Sequence, residues 1–268
     1  DPFFIAGHRR ASAILLCNSD SMSCMPPKWA SKVHLYPVSG VPSEDLASPE
    51  DLQLAEDLLL TDKTASETIS KLGDSSPSYS GLAVLSAGSL IRVKGFGLAV
   101  KAFKKFCDIY PDSRLTIVGS GPEEHHLCEL VRRLNLEGKV DLPGAIPREE
   151  LLRKMAASDV LLFPSLRDGG GTVVIEAMSV AKPVICLDIG GPGLHITEDC
   201  GIKIAPTSSQ ETAQDLADAL ERLYLDEALR VKLGEAGRQR VRELYHWDRL
   251  GERLMEIYQP ILHNDPDN

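Results

Sequence analysis

Four short runs, AVLSA (83–87), LTIVG (115–119), VLLFP (160–164) and PVICL (183–187), are apolar at nearly every position. A strand with one wet face alternates apolar and polar residues, whereas a strand covered on both faces does not need to. Between the runs lie stretches with apolar residues at helical spacing, such as 95–109, 123–134 and 148–157. Alternating strands and helices of this kind imply an α/β fold, a parallel sheet with helices on both faces. The predicted strands are 82–87, 114–118, 140–142, 160–163, 183–188 and 201–204. The predicted helices are the three above, 172–180, a short turn near 194–197, and then about 209–224, 226–245 and 247–258.

Crossovers between parallel strands are right-handed, so the loops that follow the strands share one edge. Ligands of open α/β sheets bind at that edge. Here the edge loops are GSLIRVKG (88–95), GSGP (119–122), PGAIP (143–147), PSLRDGGG (164–171) and DIGGPG (188–193). Glycines concentrate in them, and Arg92 and Lys94 lie on the same rim. Several glycine-bearing loops on one edge point to a nucleotide or phosphate site, because glycine lets backbone N–H groups approach phosphate oxygens. The fourth loop and the helix after it also carry two carboxylates, Asp168 and Glu176, which can accept hydrogen bonds from sugar hydroxyls.

The first third of the chain differs. Two short strands are predicted at 14–18 and 32–38, with a short helix at 19–30. Residues 43–80 read as a linker with one helical segment at 49–60. The division expected is 1–42, 43–80, a nucleotide-binding domain at 81–245, and a final helix and tail at 246–268. The net charge of −10 argues against broad nucleic-acid binding. The six cysteines include no close CxxC pair, and no apolar run approaches the roughly 18 residues of a membrane span. These features point to a cytoplasmic protein with reduced thiols.

The runs VLSAGSLIRVKGFGLAVKAF, LTIVGSGPEEHHLCELVRRLNLEGKVDLPGAIPREELLRKMAASDVLLFPSL and DGGGTVVIEAMSVAKPVICLDIGGPG, in that order, resemble the donor-binding half of a family 4 retaining glycosyltransferase. That resemblance implies the GT-B fold, in which two Rossmann-like domains face each other across a cleft. It implies a nucleotide-diphosphate-sugar donor (a UDP-, GDP- or ADP-sugar) and a glycan, lipid or small-molecule acceptor. The segments at 11–22 and 32–41 resemble the last strands of the family's acceptor-binding domain, and Trp247 and its helix resemble the segment that crosses back to it. The chain then corresponds to the C-terminal half of a larger enzyme. Any peripheral membrane contact would belong to the missing N-terminal domain.

The family's hallmark is a pair of glutamates with seven residues between them. Asp168 and Glu176 occupy those positions, which implies that Asp168 faces the donor sugar and Glu176 the ribose hydroxyls. Lys94 matches a lysine that holds the donor diphosphate. Ser89 stands in place of the family's arginine, with Arg92 three residues on as a substitute. Ala181 stands where the family usually has glycine, which reads as a minor packing change. The donor-binding positions implied are Gly88, Ser89, Lys94, Gly119, Gly121, Ile146, Asp168, Gly169, Gly170, Gly171, Thr172 and Glu176. Catalysis is implied for Asp168, Lys94 and Arg92. Lys94, Arg92 and the amides of residues 169–172 are expected to stabilise the charge on the leaving diphosphate, with no metal or other cofactor. The alternative reading is a non-catalytic nucleotide-sugar-binding or partner-docking domain. His125 and His126 are adjacent at a helix start and diverge as surface residues. His195 reads as a loop or packing residue.

Overall fold

The computed structural model describes residues 81–263 and two three-residue strands, β1 (Ile14–Leu16) and β2 (Val33–Leu35), which pair in parallel. These strands fall within the predicted 14–18 and 32–38. The predicted helix at 19–30 and the region 43–80 lie outside the described residues.

The main sheet has six parallel strands: β3 (Ala83–Ala87), β4 (Arg114–Val118), β5 (Val140–Gly144), β6 (Val160–Phe163), β7 (Val184–Leu187) and β8 (Gly201–Ile204). Their spatial order is β5-β4-β3-β6-β7-β8. The chain runs outward from β3 to one edge, returns to the centre at β6, and runs outward to the other edge. The β3–β6 boundary is therefore the point where the winding reverses, and ligands of such sheets bind beyond the strand C-termini at that point.

Between the strands lie α1 (Phe96–Cys107), α2 (Glu124–Arg133), α3 (Arg148–Ala157), α4 (Thr172–Ser179) and α5 (Gly190–His195). After β8 come α6 (Ser209–Leu225), α7 (Glu227–Leu244) and α8 (Trp247–His263). The alternation of side chains along each strand sorts the core into two layers. Val84, Leu162, Ile185 and Leu187 pack with Phe103, Leu127 and Leu220 of α1, α2 and α6. Their neighbours Leu85, Leu161, Val184 and Cys186 point the other way, to Met155, Ile175, Met178 and Val241 of α3, α4 and α7. A one-residue slip of register would exchange the layers, so burial on both faces holds the register.

Most predicted boundaries agree with the structure to within two residues. β5 runs on to Gly144 through Pro143, which an edge strand tolerates because its outer side needs no ladder donor. The turn expected near 194–197 is instead a helix that begins on GGPG at Gly190. Pro192 falls in its first turn, where a missing N–H removes no intrahelical bond. Helix α6 starts at a capping box, with the Ser208 hydroxyl accepting from the Glu211 amide and the Glu211 carboxylate accepting from the Ser208 amide.

Ala181 is not a packing substitution. Its φ is +57°, in the left-handed region where a Cβ costs about 1–2 kcal/mol. Its carbonyl also sits where a Cβ on Gly234 of α7 would fall, so α7 holds the turn in place. Ala181→Gly is expected to raise stability by about 1 kcal/mol. An unchanged or lowered denaturation midpoint would remove this explanation.

Candidate functional site

The rim is built by hydrogen bonds that continue past the strand ends. Gly88 N donates to Val118 O at 2.9 Å, and Gly119 N donates to Gly144 O at 2.9 Å. Leu90 N donates to Ser120 O, and Glu123 N to Leu90 O, both at 2.9 Å. The loops after β3, β4 and β5 thus form one bonded layer. Gly119 permits it: a Cβ there would lie 1.9 Å from Gly88 O.

Across the reversal, the first and fourth loops are also joined. Leu166 N donates to Val93 O at 2.8 Å. Lys94 Nζ donates to Asp168 Oδ2, and the two groups form an ion pair. Both side chains are largely shielded, at 20% and 12% exposure. The Lys94 ammonium also lies 5.5 Å from the centre of the Phe163 ring, within cation–π range. The other carboxylate oxygen, Asp168 Oδ1, accepts from Gly171 N at 2.8 Å and Gly170 N at 3.1 Å. Burial pushes the Asp168 carboxyl up. The Lys94 hydrogen bond and charge, with the two amides, outweigh it and hold the group below the ordinary carboxylate range.

These contacts already engage groups that the sequence reading assigns to the donor. The amides of residues 169–172 were expected to face the leaving diphosphate, but those of Gly170 and Gly171 are already donors to Asp168. The lysine is likewise engaged by Asp168. Arg92 lies in a 3₁₀ turn (Arg92–Lys94), is exposed, and makes no ion pair or side-chain hydrogen bond among the described residues. Ser89 is exposed, and its carbonyl accepts from Ile91 N at 2.8 Å.

Glu176 lies in the second turn of α4 and is only 6% exposed. Arg148, at the start of α3, donates from Nε to Glu176 Oε1 at 2.9 Å. The guanidinium is about half exposed at the rim, so it compensates a buried charge while staying wet itself. Sequence reading missed Arg148. The signal available was a single basic residue opening a helix after one of the edge loops. Ile146, just upstream, is half-buried against the second core layer.

The fifth loop closes the site from behind. Gly191 N donates to Asp168 O at 2.8 Å. His195 is 1% exposed; its Nε2 lies 2.7 Å from Gly170 O, and its Nδ1 3.0 Å from the Tyr245 hydroxyl. A carbonyl only accepts, so Nε2 carries the proton. Burial lowers the His195 pKa despite the Gly170 contact, which keeps the ring neutral, so Nδ1 accepts from Tyr245. His125 is exposed and lies 3.9 Å from Glu129 of the same helix. Among the described residues no group of three or more His, Cys, Asp or Glu converges to hold a metal ion. The chain's Asp-x-Asp spacing, Asp265 and Asp267, lies in the tail outside the described residues. Cys107, Cys128, Cys186 and Cys200 are free thiols. No helix among the described residues is long and apolar enough to cross a membrane.

A doubly wound parallel sheet with glycine loops, two carboxylates and basic residues at its reversal point has the architecture of a nucleotide-binding domain. The particular lineage follows from sequence. Residues 79–240 match the family described as glycosyl transferases group 1, and the chain belongs to that family. It is 33% identical over 180 residues to a D-inositol 3-phosphate glycosyltransferase of Pseudarthrobacter chlorophenolicus, covering 65% of this chain and 42% of that protein. It is 29% identical over 226 residues to a GDP-mannose-dependent monoacylated α-(1-6)-phosphatidylinositol monomannoside mannosyltransferase of Corynebacterium glutamicum, covering 81% and 56%. The chain thus spans about half the length of the curated relatives it matches. Among solved structures it resembles the Anabaena protein HepE in complex with UDP, with a TM-score of 0.75 at 19% identity, covering 95% of this chain and 65% of that one. It also resembles sucrose-phosphate synthase from Thermosynechococcus elongatus, with a TM-score of 0.73 at 24% identity, covering 97% and 61%. These structural neighbours are GT-B glycosyltransferases, so the sheet is a Rossmann-like half of that fold.

Proposed function

We propose that this chain is the donor-binding half of a retaining family 4 glycosyltransferase. The observation that carries the reading is the Lys94–Asp168 pair at the reversal of the sheet, with Glu176 buried one helix turn further on. In this reading the donor diphosphate takes Lys94 from Asp168, because a diphosphate offers more negative charge than one carboxylate. Asp168, still held by the Gly170 and Gly171 amides, then faces the sugar. Glu176, held at Oε1 by Arg148, accepts from the ribose hydroxyls. Lys94 and the exposed Arg92 stabilise charge as the sugar–phosphate bond breaks. The acceptor, a glycan, lipid or small molecule, is bound by the other half of the cleft. Diphosphate charge is met by side chains, so no metal is required.

Calorimetric titration with UDP, GDP and ADP, with and without EDTA, tests this. One nucleotide is expected to bind, equally well with chelator present. Glu176→Ala should weaken the bare nucleotide about tenfold, the loss of a hydrogen-bonded charge. Absence of binding by all three, or binding abolished by EDTA, would overturn the reading.

A further inference from the structure

We infer that His195 and Tyr245 are positioning residues for the Asp168 loop, acting through the Gly170 carbonyl. The inference rests on the proposed function only for what the loop binds, because the geometry itself is independent of ligand. Three glycines in succession, Gly169, Gly170 and Gly171, give a loop little stiffness of its own. Something outside the loop must hold it if the amides of Gly170 and Gly171 are to converge on one carboxylate oxygen. His195 does this. Its Nε2–H meets Gly170 O at 2.7 Å, so the Gly170–Gly171 peptide is held at its carbonyl by His195 while its amide donates to Asp168 Oδ1. Each bond restricts rotation of that peptide plane about the other.

His195 is itself held at three points, two on the ring and one on its backbone carbonyl. The Tyr245 hydroxyl donates to Nδ1 and so selects the tautomer that presents Nε2–H to Gly170. The Tyr245 ring stands edge-on to the imidazole at 85°, with centroids 5.0 Å apart. Arg240 Nε donates to the His195 carbonyl at 2.9 Å. His195 and Tyr245 are 1% and 4% exposed. Water therefore does not supply these bonds in their place. Tyr245 is the C-cap of α7, two residues before α8 begins, so the strut connects the C-terminal helices to the loop that presents Asp168.

The test uses the whole chain and three substitutions. His195→Leu removes the donor, His195→Gln keeps an N–H that can reach Gly170 O, and Tyr245→Phe removes only the hydroxyl. The first readout is the titration midpoint of the Asp168 carboxyl, followed by ¹³C NMR without ligand. The groups facing that carboxyl are Lys94, the Gly170 and Gly171 amides and, behind them, His195. His195→Leu is expected to move the midpoint upward as the amides lose their aim, and His195→Gln to return it toward the wild-type value. Tyr245→Phe should fall between. The second readout is the gain in affinity of a UDP-sugar over UDP, expected to drop about tenfold in His195→Leu and recover in His195→Gln. An Asp168 midpoint unchanged in His195→Leu, or moved equally in Leu and Gln variants, overturns the inference. Should His195→Leu not fold, an unmoved Asp168 midpoint in Tyr245→Phe overturns it equally. A wild-type chain that binds no nucleotide would sink the donor-site reading and leave the NMR test decisive on its own.

Discussion

Asp168→Ala is expected to abolish the affinity a UDP-sugar gains over UDP and to destabilise the fold by about 2–4 kcal/mol. Three donors lose their acceptor at once: the Lys94 ammonium and the amides of Gly170 and Gly171. The ammonium is 20% exposed and recovers water in part, so the penalty stays below that of a fully buried unpaired charge. The amides lie in the turn just before helix α4, so losing their acceptor leaves two part-buried donors unpaired there. The effect depends on pH in a definite direction. The Asp168 carboxyl is held below its ordinary value in the folded chain, so its contribution is complete above about pH 4. That contribution is lost as pH falls through the folded value. The stability gap between wild type and Asp168→Ala should therefore be constant near neutrality and close in acid. A gap that widens in acid, or an undiminished sugar-dependent gain, contradicts the assigned contacts. Denaturant titration at several pH values and calorimetry with UDP and UDP-sugar supply both measurements.

The second large effect is structural. Gly119→Ala places a Cβ 1.9 Å from Gly88 O and 2.9 Å from Gly88 C, at a φ of +144°. Neither partner can retreat. Gly88 N is bonded to Val118 O, and Gly119 N to Gly144 O. Relief requires breaking the rim where three loops meet. A loss of roughly 3–5 kcal/mol is expected, a large fraction of a domain's whole stability. The melting point should fall by about 10 °C. Gly97→Ala in α1 is the matched control. Its Cβ would meet only Leu130 Cδ2 at 3.8 Å, and the change should be neutral or stabilising by up to about 1 kcal/mol. Equal behaviour of the two variants would show that the clash is relieved cheaply.

The sheet was legible because burial on both faces leaves a simple trace, apolar runs such as PVICL with no alternation to misread. The rim was legible because glycines cluster where the backbone must crowd, as at Gly119. Helix α5 was not, because GGPG carries the composition of a loop. Its start depends on Pro192 falling in the one turn that forgives it. Within the site, Asp168, Glu176 and Lys94 stood out by their place on the glycine-bearing rim and took their roles from family resemblance, and the structure brings Asp168 and Lys94 into contact. The role of Arg148 was missed because its partner is 28 residues away and reachable only once α3 and α4 pack. His195 was read as packing because sequence shows a residue type and not what each ring nitrogen faces. The role of Ala181 was hidden for the same reason, since backbone dihedrals leave no mark in composition.

The central pairing of β3 with β6 has a consequence for how the chain acquires its site. Lys94 and Asp168 are 74 residues apart, and the two strands that bring them together are neighbours in space but not in sequence. A chain halted after β5 leaves β3 with an open edge and no fourth loop. Local helices form without this long closure, whereas the site cannot. Ligand binding should therefore appear in refolding only with the slowest phase, after most helical signal has returned. A nucleotide added at the start then stabilises the finished domain without speeding its formation.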